Sequence, residues 1–153
     1  MEPQSHDVIY FYDPGDDYGW LANFSNHPIK VGSILYRTVE HYFQAQKFSD
    51  EIIKGKIINS NSPEKAKAIA KENKHARVQN WVAIKEIVMM NGIRSKFTQH
   101  LDLKHELIKT DDKILIEKAP DDYYWGCGLD FSGLNRMGIL LMRLRNEISK
   151  NHE

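Results

Sequence analysis

Helix-like segments outweigh strand-like ones in this chain, and the strand-like runs gather near its N-terminus. That distribution predicts an α+β fold: a mainly helical single domain with a small N-terminal sheet or hairpin. Three observations carry the prediction. Residues 8–12 form a short apolar and aromatic run that stops at Asp13-Pro14-Gly15, as a strand followed by a turn does. Ile29-Lys30-Val31 and Ile34-Leu35-Tyr36 flank Gly32-Ser33, a two-residue hairpin turn with Gly at the φ > 0 position. At the other end Met137, Leu140, Leu141, Leu144 and Ile148 make one apolar helical stripe, opposed by Arg143, Asn146 and Glu147. A chain of 153 residues suffices for one well-packed domain and is too short for two comfortable ones. The domain is placed at 8–149, with tails at 1–7 and 150–153.

The remaining elements follow in order. Residues 16–26 are irregular and rich in Asp, Gly and Asn. Thr38 is placed to cap a helix over 40–48. Asn61-Ser62-Pro63-Glu64 combines capping side chains with a first-turn proline and starts a helix that ends near Asn73. Asn80 caps a longer helix on which Trp81, Ile84, Val88 and Phe97 follow helical spacing, with Gly92 weakening its middle. A further helix covers 101–109, and 114–116 is a buried strand. The loop at 120–135 is aromatic and Gly-rich; such loops either contact a flat ligand or fold back on their own core. Asn135 caps the last helix, whose first amides also suit a phosphate.

Composition narrows the function. Hydrophobic residues make up 41%, with three Trp, seven Tyr and six Phe, which excludes disorder. No apolar run approaches a membrane span, and Met1 to Asp7 is polar, unlike a signal peptide. The lone Cys127 excludes an internal disulfide and fits a reducing compartment, so a cytoplasmic protein away from membranes is expected. Lys plus Arg and Asp plus Glu each number 21, so no overall field draws in a polyanion. That disfavours a general nucleic-acid coat and leaves a local anion pocket open.

The stretch Glu40-His41-Tyr42-Phe43-Gln44-Ala45-Gln46-Lys47-Phe48 is the most informative. On a continuous helix, at about 100° per residue, Gln44 lies roughly 40° from Glu40 and Lys47 returns to within about 20° of it. The two charged residues are then about 10.5 Å apart along the axis. That spacing suits a carboxylate and an ammonium that flank something held between them. A solvated helix edge would give the same charges, but Tyr42, Phe43 and Phe48 crowd the segment, and partly buried Glu and Lys are what sites use.

Other reactive sets are weaker. Cys127 between two glycines would be an exposed nucleophile without a recognisable partner. His100 and His105 diverge by about 140° on a helix, and His27, His41 and His75 have no ligand spacing, so no metal site is expected. Gly126-Cys127-Gly128 lacks the strand–turn–helix unit of a dinucleotide fingerprint. Lys65, Lys67, Lys71, Lys74 and Arg77 form a basic stretch, read as a solvated face or a nucleic-acid backbone contact.

These segments in this order resemble a known family. They are Tyr18-Gly19, Asn23-Phe24, Pro28-Ile29, the 40–48 block, Ser62-Pro63 with Ala66, Asn80-Trp81, Lys85 with Val88-Met89, Lys96-Phe97 and Leu115-Ile116-Glu117. Asp122-Tyr123-Tyr124-Trp125-Gly126-Cys127-Gly128, Gly133-Leu134-Asn135, Gly138, Leu141-Met142 and Arg145 complete the pattern. Together they resemble the NADAR superfamily, and within it the compact bacterial YbiA-like N-glycosidase branch. The resemblance runs from about Ile9 to Glu147. Ala22 and Ala70 depart from it, standing where the family often has serine and glycine.

The resemblance implies an N-glycosidase that needs no cofactor and cuts a ribose C1′–nitrogen bond. The substrate implied is a small ribosylated or phosphoribosylated molecule, first a phosphoribosylated pyrimidine intermediate of riboflavin synthesis. The alternatives are ADP-ribosyl-guanine in nucleic acid, or ADP-ribose or a nucleotide held without turnover. Carried over residue by residue, Glu40, Lys47 and Asp122 would be catalytic. Asn23, Gln44, Tyr124, Trp125, Gly126 and Asn135 would bind substrate. Lys47 would either bind phosphate as a point charge or attack the opened sugar as a neutral amine. Oligomeric state is left open.

Overall fold

The computed structural model describes residues 7–152. The expected tails therefore lie, for residues 1–6 and 153, outside the described residues. The α+β class holds, and the chain divides into two compact units: a continuous middle, residues 23–99, and a unit built from both chain ends.

In the middle unit, β2 (Ile29–Val31) and β3 (Ile34–Tyr36) form the expected antiparallel hairpin, with Ile29 opposite Tyr36 and Gly32 at φ 63°. Thr38 then caps α1 (Val39–Ala45), its hydroxyl accepting from the His41 N–H at 3.1 Å. Every residue of α1 is buried, because the helix runs among α2 (Glu51–Ile58), α3 (Pro63–Glu72) and α4 (Trp81–Gln99). The helix is shorter than the expected 40–48. Lys47 N–H donates to Gln44 C=O and Phe48 N–H to Ala45 C=O, each at 3.2 Å, so the chain leaves α1 in a tighter i→i+3 turn.

Helix α2 was not expected. Asp50 caps it, with Oδ1 accepting from Ile52 and Ile53 N–H at 2.9 and 3.0 Å. Only Ile57 on it is buried, so no apolar stripe announces the helix. Helix α3 begins as expected, Ser62 Oγ accepting from Lys65 N–H at 3.1 Å, and buries Ala66 and Ala70. On α4 the buried line runs through Trp81, Met89, Gly92, Ile93, Lys96 and Phe97, whereas Ile84 and Val88 are only half-buried. Gly92 is a contact point, not a weak one. A Cβ there would lie 3.0–3.1 Å from the Tyr42 ring and a Val39 methyl, so glycine lets α4 approach α1.

In the other unit, β1 (Val8–Phe11) pairs in parallel with β4 (Ile114–Glu117), Val8 opposite Ile114 and Phe11 opposite Glu117. The N-terminal strand thus finds its partner more than a hundred residues away, and the strands form two separate two-stranded sheets. Helix α6 (Arg136–His152) covers β4 and buries Met137, Leu140, Leu141, Leu144 and Ile148, the expected stripe. Helix α5 (Leu101–Lys109) also lies against α6. Among the described residues no helix is long and apolar enough to cross a membrane.

Candidate functional site

Helix α1 carries a carboxylate and two polar groups into an apolar interior. Glu40, at 6% exposure, and Gln44, at 4%, are one turn apart, and Gln44 Nε2 donates to Glu40 Oε2 at 3.4 Å. Burial of the first turn also fixes Asn23: its carbonyl accepts from Glu40 N–H at 3.2 Å, and its amide Nδ2 donates to Met89 Sδ at 3.2 Å. Gln44 Oε1 is buried with no hydrogen-bond partner. Three expected site residues, Asn23, Glu40 and Gln44, are therefore brought together within the middle unit.

Lys47 joins them electrostatically from the turn after α1. Its Nζ lies 5.4 Å from the Phe43 ring centroid and 5.7 Å from that of Trp81, so two aromatic faces hold the cation. Burial pushes its pKa down most strongly. Glu40 opposes that shift, while the charges of Arg77, Lys67 and Lys74 add to it. An amine in this setting gives up its proton more readily than an exposed lysine.

A deeper cation was missed at the sequence level. Lys96 is 1% exposed, donates from Nζ to Ser25 Oγ at 2.7 Å and lies 5.3 Å from the Phe97 ring centroid. Ser25 Oγ in turn meets His27 Nδ1 at 2.9 Å. Burial holds the Lys96 pKa down to about 7. The signal was its position, three and four residues after Ile93 and Gly92 on the buried side of α4. This cluster ties α4 to the loop that carries Asn23.

The expected residues of the other unit sit in a tightly folded loop. Asp122 Oδ1 accepts from Tyr124 and Trp125 N–H at 3.0 and 2.8 Å, which folds the chain into a turn and aligns the two rings edge to face, centroids 4.9 Å apart. Tyr124 and Trp125 are half-buried. Gly126 has no room for a side chain: a Cβ would lie 2.8 Å from that of Ala119. Asn135 starts α6 through its backbone, its carbonyl accepting from Ile139 N–H at 3.0 Å, while its side chain ties into β4. There Oδ1 accepts from Glu117 N–H and Nδ2 donates to Leu115 C=O, both at 2.9 Å. Both ends of that amide are engaged, so the side chain holds the loop to the strand. The loop thus folds back on its own unit and still presents Asp122, Tyr124 and Trp125 partly to solvent.

Two weaker candidates resolve. Cys127 is buried at 4% exposure, its Sγ directed to Gly128 C=O at 3.3 Å, not exposed as its glycine neighbours implied. His41 is 1% exposed between Thr38 Oγ1 at 2.8 Å and Ser60 C=O at 3.1 Å, so both ring nitrogens are engaged within the fold, and burial lowers its pKa. Among the described residues no cluster of three or more His, Cys, Asp or Glu could hold a metal ion.

Known proteins resemble this chain along nearly its whole length. The family model for the NADAR domain matches residues 10–149. The N-glycosidase YbiA of Escherichia coli (strain K12) is 42% identical over 142 residues, covering 93% of this chain and 89% of that protein. The N-glycosidase Npun_R5314 of Nostoc punctiforme is 39% identical over 144 residues, 92% of each. The riboflavin biosynthesis protein VVA0006 of Vibrio vulnificus is 36% identical over 143 residues, which are 94% of this chain and 39% of that longer protein. The NMR structure of E. coli YbiA superposes with a TM-score of 0.88 at 41% identity, covering 95% of this chain and 88% of that one.

Proposed function

The chain belongs to the NADAR domain family, and from that premise we propose that it is an N-glycosidase that hydrolyses the ribose C1′–N bond of a phosphoribosylated pyrimidine intermediate of riboflavin biosynthesis. The observation that carries the reading is Glu40: a carboxylate buried on α1, hydrogen-bonded by Gln44 and electrostatically coupled to Lys47. Relatives named as N-glycosidases and as riboflavin biosynthesis proteins support the reaction and the pathway.

Cleavage of an N-riboside builds positive charge at C1′ and the ring oxygen and negative charge on the departing nitrogen. Glu40 answers the first, either by stabilising the cation or by taking a proton from the attacking water. The water oxygen bonds to C1′ as the C1′–N bond breaks, and the departing nitrogen keeps the electron pair and gains a proton. The products are ribose 5-phosphate and the free aminopyrimidine. Lys47 supplies positive charge beside Glu40 or, deprotonated, a nucleophilic amine. Asp122 keeps one carboxylate oxygen outside its turn and is the second acid assigned to the reaction. Trp125 offers a face for the base, a contact worth about 1–3 kcal/mol. A cytoplasmic location belongs with this reading, since the pathway intermediate is a phosphorylated metabolite.

Purified protein is given two substrates in parallel, a phosphoribosylaminopyrimidine and an oligonucleotide bearing ADP-ribosyl-guanine, and products are read by mass spectrometry. Free base plus ribose 5-phosphate from the first is the expected result. Restored guanine with released ADP-ribose, and an intact first substrate, would replace the proposed substrate. No cleavage of either would overturn the catalytic role of Glu40.

A further inference from the structure

A basic stretch runs along α3 and the turn that follows it. Lys67 lies on α3, Lys74 in the short 3-10 turn Lys74–Ala76 and Arg77 just beyond it. Helix α3 ends at Glu72, and its C-cap Asn73 leads directly into the turn that holds Lys74. The segment is anchored at its far end, where Val78 N–H donates to the Lys47 carbonyl at 2.8 Å. That bond brings the basic segment to the turn that carries Lys47. The charges of Lys67, Lys74 and Arg77 all bear on the Lys47 ammonium, and Glu40 is the sole acid that acts on it among the described residues. None of these four cations has a carboxylate within ion-pair distance among the described residues.

Like charges gathered without counter-ions repel one another, and in a chain of zero net charge nothing in the overall composition requires them here. Their cost is offset when a dianion binds. Lys67 and Lys74 are exposed and Arg77 half-buried, so a ligand reaches them without unfolding anything. We infer that Lys67, Lys74 and Arg77 form, beside Lys47, the subsite for the phosphate ester of the ribosyl substrate. The inference rests on the N-glycosidase reading and extends it: the enzyme holds its substrate by the phosphate, at the end of the sugar remote from the C1′–N bond that is hydrolysed. Arg77 offers a planar fork to two phosphate oxygens, and the lysines add point charges. Remote binding energy of this kind fixes C1′ against the carboxylate.

The test is a binding measurement, independent of turnover. Calorimetry follows ribose 5-phosphate, ADP-ribose and unphosphorylated ribose on the native protein and on K67A/K74A/R77A. These side chains are exposed or half-buried, and retention of the fold is checked by the thermal midpoint. The expected result is binding of ribose 5-phosphate that falls about tenfold or more in the triple variant and weakens with salt, with ribose indifferent to the substitutions. Loss confined to ADP-ribose, with ribose 5-phosphate binding unchanged, would overturn the subsite as one for the ribosyl phosphate ester. Equal affinity of native protein and variant for both phosphates would overturn it, as would native protein that binds neither. Turnover of the aminopyrimidine ribotide, measured separately, tells failure of this subsite from failure of the hydrolase reading.

Discussion

Gln44 donates to Glu40 across one turn of a helix that is buried along its whole length, and the bond leaves the Gln44 carbonyl oxygen without a partner. The carboxylate fixes which way round the amide sits, because the carbonyl cannot face it. An unmade hydrogen bond of this sort costs about 1–3 kcal/mol. A protein retains such a cost where the group does something other than stabilise. Gln44→Met removes the orphaned oxygen at nearly constant volume. Its thermal midpoint is expected to equal or exceed that of the native protein, while kcat falls about tenfold because Glu40 loses its donor. A variant that loses stability and keeps kcat would remove Gln44 from the site.

Glu40→Gln gives the complementary result. The amide keeps the shape and loses the charge, so kcat is expected to fall by about two to four orders of magnitude. Binding of ribose 5-phosphate is expected to persist, because the proposed phosphate contacts lie elsewhere. Stopped turnover with retained ligand heat in calorimetry is the signature; full activity in this variant would end the proposed mechanism.

Much of this was legible in the sequence where local chemistry decides structure. Gly32-Ser33, Thr38 and Ser62-Pro63 each dictate a turn or a cap within three or four residues, and each formed as read. The stripe on α6 was equally plain, since five apolar residues at helical spacing have one place to go. Pairing of β1 with β4 was invisible because no local rule links residues a hundred positions apart. Lys47 was placed on a helix that stops two residues earlier, since the i→i+3 turn has no composition signal distinct from a continuing helix. Of the proposed site, Glu40, Gln44 and Asn23 lie together in the middle unit. Lys96 entered only as part of the matching Lys96-Phe97 segment and was given no place in the site. What distinguishes it is tertiary, the burial of the face it shares with Ile93 and Gly92.

The two roles open to Lys47 separate chemically. A neutral amine condenses with the aldehyde of ring-opened ribose 5-phosphate, losing water to form an imine that cyanoborohydride reduces to a stable secondary amine. Burial and the neighbouring cations lower the Lys47 pKa, so trapping is expected to become more efficient as pH rises, as more of the amine is deprotonated, and to do so at lower pH than for an exposed lysine. Peptide mass mapping should locate the adduct on Lys47 and find none in Lys47→Arg. An unlabelled Lys47 under these conditions assigns it the electrostatic role alone.

Asp122 has a structural task and a proposed chemical one, and two substitutions part them. Asp122→Asn keeps an oxygen for the Tyr124 and Trp125 amides, so the turn should survive with a stability change within about 1 kcal/mol. If the charge serves the reaction, kcat nevertheless falls about a hundredfold. Asp122→Ala removes both hydrogen bonds to Oδ1 and is expected to lower stability by about 1–3 kcal/mol, with loss of the ordered Tyr124–Trp125 pair seen in near-ultraviolet dichroism. Full activity in Asp122→Asn would leave Asp122 as a turn-former only.

Lys96 leaves its mark on the pH dependence of stability. Burial holds its folded pKa to about 7, against 10.5 for an unburied lysine. Between those values the unfolded chain binds a proton that the folded chain does not, so this group makes stability rise with pH across the window. Below pH 7 both states are protonated and the destabilisation is fully present; above about 10.5 it has gone. Lys96→Met removes the titration together with the bond to Ser25, whose loss adds an offset of about 0.5–1.5 kcal/mol that does not depend on this proton. Denaturant unfolding of both proteins from pH 6 to pH 10 reads the difference directly. Relative to native, the variant is expected to be at its most favourable at the acid end and to lose that advantage steadily as pH rises. A difference that stays flat across the range would mean that Lys96 does not change its protonation state on folding, and that water or a partner solvates its ammonium in place.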